Sequence, residues 1–86
     1  MSPENFSTYI DEVAKANIKD LNFEFPYKGI YKEKMITWAG VIEVIKEYED
    51  NFDYCIKILK DCKSASDIQA TLMFIYGTLV RYHHLY

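Results

Sequence analysis

Between Ile30 and Cys62, apolar residues recur at intervals of three and four, and this long stripe narrows the folds open to the chain more than any other pattern in it. Tyr31, Met35, Trp38, Ile42, Ile45, Phe52, Ile56 and Leu59 follow the helical period, with Glu49 as the polar interruption. A flanking row of Val41, Val44, Tyr48, Cys55, Ile58 and Cys62 widens the stripe, as expected for a helix that touches two neighbours. Unbroken, such a helix would be about 48 Å long at 1.5 Å per residue. The candidate break is Glu49-Asp50-Asn51.

Two further helices flank it. Ser2-Pro3-Glu4 is a helix start, with serine as cap, proline at the first helical position and an acid in the first turn. From Pro3 to about Asp20 the residues Phe6, Tyr9, Ile10, Val13, Ala14, Ile18 and Leu21 form one stripe. Lys63 to Asp67 is a polar turn that offers Ser66 or Asp67 as the next N-cap, and Ile68 to about His84 is predicted as the last helix. Ile68, Leu72, Ile75, Leu79 and Tyr82 line one side of it, while Met73, Phe74, Tyr76 and Val80 cover much of the rest. Gly77 in that helix interior costs about 1 kcal/mol against alanine, which predicts a close helix crossing there.

Asn22 to Gly29 breaks the helical pattern at Pro26 and Gly29. Phe23, Phe25 and Tyr27 alternate as in a strand, but the sequence shows no mate, so the segment is expected to be an ordered connector whose rings cover the end of the bundle. Strand pairing between two copies is the alternative. The expected fold is all-α: one helical domain over residues 1–86, a three-helix bundle with a long central helix, or four helices if that helix kinks near Asp50.

Half of the 86 residues are apolar or aromatic and 27% are charged, which places the chain outside the disordered regime. A chain of this length builds a single core. Its net charge of −3, with no lysine or arginine stripe, argues against nucleic acid as a partner. Met1 to Phe6 holds no cationic or apolar leader pattern, and the uncharged stretch from Ile68 to Val80 is shorter than the roughly 20 residues of a bilayer span. A cytoplasmic protein without a membrane partner is expected. Cys55 and Cys62, seven positions apart on one helix, would lie about 10 Å apart along its axis, beyond the disulfide limit of about 7 Å, which predicts buried thiols.

Candidate chemistry is sparse. Glu43, Glu47, Glu49, Asp50 and Asp53 form the densest acidic run, opposed locally by Lys46, and make either a docking patch for a basic partner or a solvated helix face. Tyr27, Lys28, Tyr31, Lys32 and Lys34 mix rings with ammonium groups and would suit a small anion such as a nucleotide, or simply keep a turn soluble. Cys55, Cys62 and a histidine from His83-His84 could be drawn as a zinc site, but the Cys-x6-Cys spacing is not that of a zinc knuckle, and basic groups at a helix C-terminus suit the dipole. With three isolated glycines there is no phosphate-binding loop, and no nucleophile elbow or metalloprotease motif is present. No enzyme activity, metal or cofactor is expected.

The apolar surface of the predicted helices exceeds what three of them can bury, so a second copy or another protein is expected to cover the remainder, most simply in a homodimer. Tyr76 and Tyr82 mark the candidate groove. These features predict a small acidic binding protein that acts by protein–protein interaction, an inhibitor or sequestering factor of the phage or mobile-element type. An immunity protein or antitoxin is one alternative. An oligomeric binder of a small anionic ligand such as a nucleotide is the other.

Overall fold

The computed structural model describes residues 1–85 and contains six elements: α1 (Pro3–Asn17), β1 (Glu24–Lys28), β2 (Glu33–Thr37), α2 (Trp38–Tyr48), α3 (Phe52–Lys60) and α4 (Ala65–Tyr82). The all-α three-helix expectation is therefore wrong. Four helices make up 62% of the chain, and a two-stranded antiparallel sheet makes up 12%.

The mate of Phe25 and Tyr27 is the segment whose spacing predicts the first turns of the long helix. β1 and β2 pair in the register Phe25–Ile36, Pro26–Met35 and Tyr27–Lys34. The Gly29 N–H donates to the Lys32 carbonyl at 2.9 Å and closes the hairpin around Ile30 and Tyr31. Bonding alternates along an antiparallel ladder, so Tyr27–Lys34 and Phe25–Ile36 are the bonded pairs, and Pro26 falls where its nitrogen faces outward and no donor is missed. Tyr31, Met35 and Trp38 imitate a helical period by coincidence of spacing. Tyr31 and Met35 are exposed, whereas Ile36, which the helical stripe omits, is buried.

Helix α2 begins only at Trp38, because the Thr37 hydroxyl caps it by accepting the Gly40 N–H at 3.1 Å. Its end comes at the acidic break. Glu49 turns extended, its carboxylate accepts the N–H groups of Asp50 and Asn51 at 3.1 and 3.0 Å, and the Asn51 side chain caps α3 by accepting the Tyr54 N–H. Helix α1 stops at Asn17, three residues before the expected end, and the Asn17 carbonyl accepts the Gln69 amide of α4 at 2.9 Å. Ser64 caps α4 through the Asp67 N–H, in place of Ser66 or Asp67.

The core is built from Phe6, Ile10 and Ala14 of α1, Val41, Ile42 and Ile45 of α2, Cys55 and Leu59 of α3, and Leu72, Ile75, Tyr76, Leu79 and Val80 of α4. Phe6 stacks on Phe52 with ring centroids 4.3 Å apart. The hairpin lies over this core. Phe25 tilts against Trp38 at 5.2 Å, and Tyr27 meets the fully buried Tyr76 edge-on at 5.1 Å. Gly77 serves that docking and not a helix crossing: a Cβ there would sit 3.0 Å from the Tyr27 phenol oxygen. No helix among the described residues is long and apolar enough to cross a membrane.

Candidate functional site

The acidic break does more than end a helix, because it brings the last residue of α2 and the first turn of α3 beside the C-terminal turn of α4. Between them lies an open cleft of about 300 Å³ walled by Tyr48, Glu49, Asp50, Tyr54, Tyr82 and His83. Thr78 and Leu79 of α4 also line it. Tyr48 is half-buried, its ring tilted against the His83 imidazole with centroids 4.8 Å apart. His83 in turn meets Tyr82 edge-on at 5.0 Å. Tyr54 and Tyr82 are 53% and 78% exposed, so two of the three rings stand open to whatever enters.

The end of α4 is fixed by its own backbone. His84 adopts φ 52°, and the N–H groups of His84 and Leu85 return to the carbonyls of Arg81 and Val80, a Schellman closure with histidine where glycine is usual. That closure holds the cap residue His83 against Tyr48. Glu49 is held just as firmly, since one carboxylate oxygen accepts two backbone N–H groups, while Asp50 is exposed. Among the described residues no lysine or arginine forms an ion pair with Glu49 or Asp50, so both charges act on the cleft.

Phenol rings with carboxylates beside them attract cations: the ring faces offer negative potential, and the acids supply formal charge. A guanidinium or ammonium head group fits that chemistry. Catalysis does not. The Cys55 thiol is fully buried and pushed up from 9.0 to about 12, first by desolvation and then by the charge of Glu49, so it is no nucleophile at neutral pH. Cys62 hydrogen-bonds the Ile58 carbonyl and lies 3.3 Å from the Thr71 hydroxyl. Among the described residues no group of three or more His, Cys, Asp or Glu side chains is placed to hold a metal ion.

Comparison with protein-family models, curated proteins and solved structures gives no match. The geometry of the chain's own residues therefore carries the functional reading.

The structure brings Glu49, Asp50 and Tyr82 together and separates the other expected partner residues. Glu43 is tied to Lys46 at 3.3 Å, and the same ammonium pairs with Asp11 of α1 at 3.0 Å, which pulls the lysine's pKa upward. Glu47 and Asp53 are exposed and do not line the cleft, and Tyr76 is core. The lysine–tyrosine group is spread over the hairpin. Tyr27 and Lys34 face one side, Lys28 pairs with Glu33 on the other, and Tyr31 is at the tip with Lys32 beside it. They do not converge on one point. Tyr48, Tyr54 and His83 were missed as site residues: Tyr48 sits on an apolar row, and His83 reads as a capping group. Tyr54 carried a usable signal, because it falls off both apolar rows next to Asp53.

Proposed function

We propose that this protein is a small acidic binding module, an inhibitor or sequestering factor that works by occupying a surface of another protein. Its cleft receives a basic side chain of that partner. The observation that supports this reading is the convergence of Tyr48, Tyr54 and Tyr82 with Glu49 and Asp50 at the junction of three helix ends. Arginine suits the cleft better than lysine, since a planar guanidinium can stack on a phenol ring while its edge donates to a carboxylate. Two free thiols agree with action in a reducing compartment such as the cytoplasm.

The test is an NMR titration with short arginine-containing peptides, using a citrulline peptide as the uncharged control. Perturbed signals are expected at Tyr48, Tyr54, Tyr82 and His83. Tyr82→Ala is expected to weaken binding by about 0.5–1 kcal/mol, the worth of one exposed cation–π contact, and Asp50→Asn by a similar factor that shrinks as salt rises. Equal shifts with citrulline, or shifts confined to other surfaces, would rule the reading out.

A further inference from the structure

The two edges of the hairpin differ. On β1 the outward positions are Glu24, Pro26 and Lys28, and Pro26 removes the central donor. On β2 they are Glu33, Met35 and Thr37, an edge of five residues without proline. Among the described residues no turn, loop or cap bond from outside the hairpin reaches the backbone of Glu33 or Met35, while Thr37, as the N-cap of α2, turns its carbonyl toward the helix. An open edge of this kind is a template for another strand.

We infer that β2 is a dimer seam. Two copies pair β2 with β2, antiparallel, about a two-fold axis through Met35, and the two hairpins become one four-stranded sheet. This goes beyond the cleft reading and involves a different set of residues. Its support is the self-complementarity of Glu33-Lys34-Met35-Ile36-Thr37 in that register. Centred on Met35, Glu33 of one copy lies opposite Thr37 of the other, Lys34 opposite Ile36, and Met35 opposite itself, so no like charges meet. The Thr37 oxygen already accepts the Gly40 N–H, which leaves its hydroxyl proton to donate to the second copy's Glu33 carboxylate. On the outer face, Pro26 and Met35 of each hairpin join into one apolar row that covers the 55%-exposed Met35 side chains.

Neighbouring registers are worse. A shift toward the turn sets Lys34 against Lys34. A shift the other way sets Lys34 against Trp38, where the backbone is already helical. Backbone pairing over five residues a copy is a small contact, so the dimer is expected to dissociate on dilution.

Sedimentation across a wide concentration range tests this, with circular dichroism as the check on folding. The wild-type chain is expected to show a monomer–dimer equilibrium. Met35→Lys and Met35→Glu should each weaken dimerisation by more than about tenfold, because each variant meets its own charge at the axis. An equimolar mixture of the two should recover a heterodimer. Met35→Pro should be monomeric, since it removes only the outward N–H. A wild-type chain that stays monomeric, a dimer indifferent to Met35→Lys, or a mixture that fails to associate would each overturn the seam. None of these outcomes depends on whether arginine peptides bind the cleft.

Discussion

Cys55 illustrates how much a single side chain's setting can fix its behaviour. Its thiol has no exposed surface, and desolvation, with Glu49 adding to it, moves its pKa from 9.0 to about 12. Thiol reagents at neutral pH are expected to modify the half-buried Cys62 in the native protein and Cys55 only after unfolding, which Ellman titration with and without denaturant will show. The same shift makes a pH prediction. The folded state holds the proton that the unfolded state releases above pH 9, so stability is complete below 9 and falls between 9 and 12 by up to about 1.4 kcal/mol per unit. Urea unfolding of wild type and Cys55→Ala over that range should show the steeper loss in wild type. Burial of this thiol was legible in the sequence, because Cys55 sits on an apolar row. Tyr54 was less legible: its place off both apolar rows marks it as exposed, but the cleft it lines depends on the bend between α2 and α3.

The elements were legible where capping chemistry and apolar period agree and misleading where they conflict. Ser2-Pro3-Glu4 starts α1 as expected, and the acidic triplet does end α2. The hairpin was missed because Tyr31, Met35 and Trp38 happen to fall on a helical period, while the contrary signals, Gly29 at the turn and Thr37 as a cap, are each a single residue. A two-stranded sheet is marginal in isolation, so its existence depends on the packing of Phe25, Tyr27 and Ile36 over the helices, which local pattern does not encode. Helix α4 ends on a left-handed histidine, a conformation that costs a residue with a Cβ about 1 kcal/mol relative to glycine. His84→Gly is therefore expected to stabilise the protein by up to about 1 kcal/mol, a rise in Tm of several degrees for a domain of this size. Thermal unfolding by calorimetry will measure it.

The molecule as a whole is a helical core with a hairpin laid across it, and the two meet at Tyr27, Tyr76 and Gly77. Substituting Gly77 by alanine gains helix propensity of about 1 kcal/mol but sets a methyl 3.0 Å from the Tyr27 oxygen. In a Tyr27→Phe background that contact is gone, so Gly77→Ala should be more favourable there by roughly 1 kcal/mol. A double-mutant cycle in urea reads the difference directly, and additivity would mean that the Tyr27 hydroxyl gives way to the methyl at no cost. The candidate cleft was legible only in part: Glu49, Asp50 and Tyr82 stood out as residues, but their meeting required the chain to bend twice. Pro26 bears on a different question, that of growth. A sheet with two open edges can recruit copies without end, whereas a sheet with one open edge is used up by its first partner. In the proposed dimer, Pro26 withholds one amide hydrogen on each far strand, which disfavours further strand addition and would hold the association to a pair instead of a fibre.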